Sequence, residues 1–335
     1  MTEVLTQDRA SDTVAQRIHH LLHGHPALSP ALVLVISMIV FSILNDRFLA
    51  PQNLSLVVQQ VAVIGALAVG QTLIILTSGI DLSVGALMLL ATMVAAKTAS
   101  VNGLPGPLAL IVGLGVGVAA GLFNGVLVTR LKLPPFIVTL GTLNVFTAIM
   151  LLYSSGASVR GADMPGLMTW TGTVITLGDV RITTGVIMMI GLYAVMSYAL
   201  SQTAWGRHVY AVGDDAESAR LSGISVRRVL LSVYVTAGAT FALAGWILMG
   251  RINAASPNAG VDANLDSITA VVIGGTSLFG GRGVIWGSLI GALIVGVFRN
   301  GLSLAGLDVL YQTLAVGILV IVAVAVDQWI RKARA

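Results

Sequence analysis

The chain has 335 residues, 56% of them hydrophobic and 10% charged, with a formal net charge of +4. Water-soluble domains carry about 25% charged residues, so too little polar surface exists here to wrap one water-facing globule, and lipid is the solvent that fits. Nucleic acid does not fit the basic excess, because Lys97, Lys132 and Lys332 are the only lysines and the arginines are scattered among short loops. With no cysteine, disulfides and thiolate metal sites are excluded.

Residues 1–27 are polar and hold no apolar run of signal-peptide length. Ser11 or Asp12 is placed to cap a short interfacial helix with Val14, Ile18, Leu21 and Leu22 on its apolar face. His19, His20, His23 and His25 cluster there, but no carboxylate or thiol completes a metal site. The segment reads as a cytoplasmic tail, with the membrane domain over 28–330.

A bilayer crossing takes roughly 20 apolar residues. Apolar segments follow at 28–45, 56–77, 82–97, 107–129, 136–154, 182–201, 228–250, 267–280, 284–299 and 309–327. They predict an all-α polytopic membrane protein with about ten transmembrane helices. Asn45-Asp46-Arg47, Pro105-Gly106-Pro107, Pro134-Pro135 and Gly280-Gly281-Arg282-Gly283 mark breaks between them. With the N-terminus in the cytoplasm, twelve basic residues fall inside, among them Arg130, Lys132, Arg207, Arg220, Arg227 and Arg228. Six fall outside (Arg47, Lys97, Arg160, Arg181, Arg251 and Arg299), and that bias sets the orientation.

Three segments, 82–97, 267–280 and 284–299, are short for upright spans. Two breaks also echo each other: Ala68-Val69-Gly70-Gln71-Thr72 precedes Gly79-Ile80-Asp81-Leu82-Ser83-Val84-Gly85, and Val272-Ile273-Gly274-Gly275-Thr276 precedes Gly281-Arg282-Gly283-Val284-Ile285-Trp286-Gly287. Glycine-interrupted segments in corresponding halves point to a transport pathway, although tight helical hairpins give the same pattern. Asp81 sits where a helix starting near Leu82 has free backbone N–H groups, and reads as its cap.

The polar residues inside the apolar segments are neutral. Gln59, Gln71, Thr72, Asn124, Thr139 and Asn144 offer amides and hydroxyls, which suit a path for an uncharged, hydroxyl-rich molecule; interhelical hydrogen bonding uses the same groups. Ion-coupled carriers usually place carboxylates at mid-membrane, whereas Asp81, Asp266, Asp308 and Asp327 fall at segment ends. No lysine stands in a G-x4-G-K-[ST] phosphate loop, and H-E-x-x-H and G-x-S-x-G are absent. The chain therefore lacks an ATPase motif of its own and has no recognisable hydrolase constellation.

The largest polar insertion on the inner side spans 202–228. Within it, Asp214-Asp215-Ala216-Glu217-Ser218-Ala219-Arg220-Leu221-Ser222-Gly223 reads as a surface helix capped by Asp214 and stopped by Gly223. Its small residues Ala216, Ser218 and Ala219 are expected to let a partner approach, with Asp215 and Glu217 facing basic groups.

At these residues a family becomes recognisable. Tyr210 to Ile224 resembles the coupling segment of the ribose/xylose/arabinose/fructose-type permeases of ABC sugar importers. Gly79 to Gly85 looks like their characteristic short motif, and Leu133-Pro134-Pro135-Phe136-Ile137-Val138-Thr139-Leu140-Gly141-Thr142 is similar to another. Leu265 to Gly301 matches a fourth. The resemblance implies a fold similar to the vitamin B12 importer, two permease copies side by side, and an extracytoplasmic sugar-binding protein. It also implies separate cytoplasmic ATPase chains carrying ATP and Mg, with no cofactor on this chain, in the bacterial cytoplasmic membrane. Asp214 to Gly223 is then the coupling helix, and Gly79, Asp81, Ser83, Gly85, Gly281 and Gly283 are structural or gating positions. An ion-coupled sugar carrier is the rival reading.

Overall fold

A computed structural model describes residues 28–260 and 262–332; the tail over 1–27 falls outside them. Among the described residues, six helices are long and apolar enough to cross a membrane: α2 (Pro51–Leu76), α4 (Gly106–Arg130), α5 (Pro135–Ser154), α7 (Thr184–Gln202), α10 (Val226–Ile252) and α12 (Ile285–Leu304). Shorter apolar helices are α1 (Leu28–Leu44), α3 (Val84–Ser100), α11 (Ala263–Ile273) and the first part of α13 (Val309–Lys332). Each predicted apolar segment overlaps one of these helices, and the all-α membrane class holds.

Local chemistry sets the ends. Proline occupies the first or second position of α2, α4 and α5, where its missing N–H is not needed. Ser155 and Asn253 close α5 and α10 in the left-handed conformation that terminates helices. Helix α11 stops at Ile273 rather than 280, because Gly274 and Gly275 turn the chain, Gly275 at φ +87°. Helix α12 in turn runs past 299 to Leu304.

Helix α10 is the centre of the packing. Its Gly238 meets Gly117 and Gly121 of α4 so closely that the two backbones touch, and Gly70 of α2 lies against Thr240 and Phe241. Leu67, Leu73, Met88, Tyr193, Tyr234 and Phe241 fill the main core, with the Tyr193 hydroxyl donating to the Gly65 carbonyl at 3.0 Å. A second apolar cluster joins α1, α2, α11 and α12 through Phe41, Val61, Ala68, Val271 and Val295. Asn53 and Asn300 exchange side-chain hydrogen bonds at 2.9 Å across its edge. Large apolar side chains such as Ile43, Leu152, Val195 and Leu310 point outward, as lipid-facing surfaces do.

The stretch between α5 and α7 departs from the helical pattern. Strand β1 (Val159–Arg160) pairs antiparallel with β4 (Ala254–Ala255), a short helix α6 (Gly166–Thr169) follows, and β2 (Val174–Leu177) forms a hairpin with β3 (Val180–Thr183). A Gly178-Asp179 turn joins the hairpin strands, the kind of dipeptide that two-residue hairpin loops favour.

Candidate functional site

The inner insertion folds as two helices, α8 (Ala204–Asp214) and α9 (Ala216–Leu221), separated by the extended backbone of Asp215. The Thr203 hydroxyl accepts from Gly206 N at 3.2 Å to start α8, and Trp205 Nε1 donates to Ser232 Oγ at 2.7 Å, fastening α8 to α10. The predicted cap moves by one residue: Asp214 ends α8, and Asp215 caps α9. Its Oδ1 accepts from Glu217 N (2.9 Å) and Ser218 N (3.0 Å), because its extended backbone aims the carboxylate at the free amides. Hydrogen bonds from the Ser218 backbone, the Ser218 hydroxyl and the Glu217 backbone hold the Asp215 carboxyl below its ordinary range. Glu217 is likewise lowered, by the hydrogen bond from Arg220.

Gly223 stops α9 as expected. At φ +85° it donates to Arg220 O while Ile224 N donates to Ala219 O, a Schellman ending. The expected approach surface needs correction. Ala219 is 4% exposed and packs inward, so it is closed to a partner, whereas Leu221 is 76% exposed at the tip of the segment. Leu221 lies within the predicted coupling helix, and its large apolar side chain on a polar loop helix singles it out over the buried Ala219.

The far end of α8 is clamped between the two echoing breaks. Gly281 N, in the loop between α11 and α12, donates to Leu76 O at the end of α2, at 3.0 Å. Ser78 Oγ lies 2.8 Å from Phe279 O and 3.0 Å from Gly213 O, and its single proton serves one of them at a time. Tyr210 Oη of α8 donates to Gly283 O at 2.9 Å. Two glycines are required here. A Cβ on Gly213 would overlap the Leu76 carbonyl oxygen, and Gly281, at φ +68°, presses its backbone against Asp214. Ser78 is not among the sequence candidates, and Tyr210 enters there only as the first residue of the coupling-segment resemblance. Hydroxyls reaching carbonyls across more than 70 residues leave no local pattern.

Beside this clamp lies the Gly79 to Gly85 motif. Asp81, 1% exposed, accepts at one oxygen from Ser83 N (2.7 Å) and Ser83 Oγ (2.6 Å). This is a turn ahead of α3 rather than a cap on it, because α3 begins at Val84, a residue beyond the bonded Ser83. The first turn of α3 is served from elsewhere: Gly85 N donates to Asn264 Oδ1 of α11 at 2.5 Å. Asn124 Nδ2 donates to Ser83 Oγ at 2.9 Å. Thr139 Oγ1 lies 3.1 Å from Ile80 O and 2.9 Å from Pro135 O of its own helix, its single proton serving one of them at a time. Asn124 and Thr139 thus brace the motif.

The other polar candidates are dispersed. Thr72 pairs with Ser288 at 2.6 Å, joining α2 to α12. Gln59 is half-buried and donates to Arg181 O of the hairpin at 3.2 Å, while Asn144 is exposed and bonds its own helix at Leu140 O. Gln71 is fully buried, and neither atom of its amide meets a protein partner. On α11, Asp266 is buried and paired with Arg299 at 2.7 Å, so this segment-end carboxylate is inside the protein.

Residues 53–324 match the family described as branched-chain amino acid transport system / permease component. The chain belongs to that permease family. Individual relatives agree over nearly their whole lengths. A fructose import permease of Rhizobium meliloti is 49% identical, covering 100% of this chain and 94% of the relative. A ribose import permease of Bacillus subtilis is 42% identical (90% and 92%), and a D-allose transport system permease of Escherichia coli is 36% identical (90% and 91%). No solved structure matches the permease. Permeases for amino acids and for sugars thus share one family description, and the sugar resemblance read from the motifs agrees with these relatives. Transport components of this kind are not enzymes.

Proposed function

We propose that this permease forms the membrane pathway of an ATP-driven importer for a monosaccharide. Identity of about half to a fructose import permease, end to end, carries this reading. Two copies stand side by side in the bacterial cytoplasmic membrane, termini inward, each crossing about ten times in a fold similar to the vitamin B12 importer. A cytoplasmic ATPase holds ATP and Mg, and an extracytoplasmic binding protein delivers the sugar. When the ATPase closes, it moves α9 through Leu221, Asp215 and Glu217. Helix α8 passes the movement to the loops after α2 and α11, and the cavity between the copies changes its open side. Gln59, Gln71, Thr72, Asn124, Thr139 and Asn144 supply or brace its neutral polar groups.

The test is reconstitution. Vesicles holding the permease, the ATPase and the binding protein should take up fructose or a related monosaccharide only with ATP. Vesicles holding the permease alone should take up none under a proton or sodium gradient. Proton-driven uptake by the lone permease would replace this reading with the ion-coupled one, which nothing in the relatives favours.

A further inference from the structure

We propose that the groove between the α4–α5 loop and the start of α10 is a binding site for one anionic phospholipid. It is an open groove of about 610 Å³, lined by Lys132, Arg220 and Arg227 together with an apolar wall that includes Val128, Leu133 and Leu230. No carboxylate lines it. Among the described residues, neither Lys132 nor Arg227 belongs to an ion pair, while Arg220 at the rim is held by Glu217. Lys132 is also fixed in an uncommon conformation, at φ +55°, just before Pro134-Pro135.

Cations clustered beside an apolar wall at the end of membrane helices match a phosphate headgroup with its first acyl carbons. A soluble anion would use the cations and leave the apolar wall wet. Basic residues at the cytoplasmic surface are attracted to anionic lipid in general, at about 1 kcal/mol for each Lys or Arg. Here two unpaired cations converge on one concavity, which turns a diffuse attraction into a site. Placing it in the inner leaflet rests on the orientation given under the proposed function. The occupancy of the groove does not.

The experiment uses the purified full-length permease in a neutral detergent, with lipid retention read by native mass spectrometry and melting temperature followed on lipid addition. Phosphatidylglycerol should be retained in a discrete, saturable amount and raise the melting temperature; phosphatidylcholine should do neither. Lys132→Gln with Arg227→Gln should weaken retention roughly 10- to 30-fold. Arg130→Gln with Arg228→Gln, which removes two exposed charges outside the groove, should leave it unchanged. Equal loss in both double variants would overturn the site, since attraction would then be diffuse. An equal melting shift with inorganic phosphate would make it a free-anion site. If the bound ATPase expels the lipid and fails to bind the Lys132/Arg227 variant, the groove belongs to that protein instead. None of these readings depends on which way the chain faces, so a wrong orientation shows up elsewhere, in topology labelling.

Discussion

Gly213 has no room for a methyl group. A Cβ there meets the Leu76 carbonyl and approaches Gly281 N at 2.8 Å, so Gly213→Ala must open the Gly281–Leu76 hydrogen bond. The expected outcome is a folded permease with a lowered melting temperature and sugar transport cut by an order of magnitude or more, measured on the reconstituted complex. Gly141→Ala, on α5 with nothing within 4 Å of its added Cβ, should be silent in both assays. Asp81 makes a second residue-scale test. Asn keeps the acceptor oxygen that Ser83 uses, so Asp81→Asn should retain protein level and transport. Asp81→Leu strands a buried hydroxyl and amide, costing about 1–3 kcal/mol, and should lower both together. Loss of transport in Asp81→Asn at normal protein level would mean that the charge itself acts.

At the scale of elements, α9 rests on its cap. Asp215 has a lower carboxyl pKa when folded than when unfolded. Its contribution is therefore complete above the ordinary value of 3.8 and fades as the pH falls through the lower, folded one. Amide hydrogen exchange of residues 216–221 should consequently show a pH-independent protection factor between pH 5 and 8 and fray in Asp215→Ala. A protection factor that changes within this window would assign the cap to another group. Leu221→Ala should weaken ATPase docking with α9 intact, whereas Ala219→Trp should unfold α9, because its site is already filled. Arg299→Gln on α12 leaves Asp266 of α11 buried without its cation, a change worth about 3 kcal/mol or more. It should destabilise the permease more than Asp262→Asn, whose carboxylate sits 3.5 Å from the same arginine and is far more exposed.

The positions of α8 and α9 were half legible: composition located the insertion and Gly223 its end, but the choice between Asp214 and Asp215 depended on backbone angles. The six long spans followed from apolar length alone, and the breaks from proline and glycine. The β2–β3 hairpin carries its own signal, β-branched residues on both sides of Gly178-Asp179, which apolar span length does not detect. Residues that act by reaching other elements, Ser78, Tyr210 and Asn264, were not legible. Their partners lie far away in sequence, and a serine or asparagine looks the same whether it solvates or braces.

For the whole molecule, orientation is open to direct labelling, because the chain has no cysteine to interfere. Asp179→Cys in the hairpin turn and Ser222→Cys beside α9 are both exposed positions. A membrane-impermeant maleimide should reach the first from outside the cell and the second only in inverted vesicles; the reverse result would turn the permease over. The clamp of Gly213 between Leu76 and Gly281 also limits how such proteins exchange parts. A segment from Thr203 to Gly223 grafted alone from a relative would carry its own spacing into a socket made by the loops over 77–83 and 274–284. Chimeras moving the three pieces together should work where the single graft fails, so for protein engineering the transferable module is discontinuous in the gene.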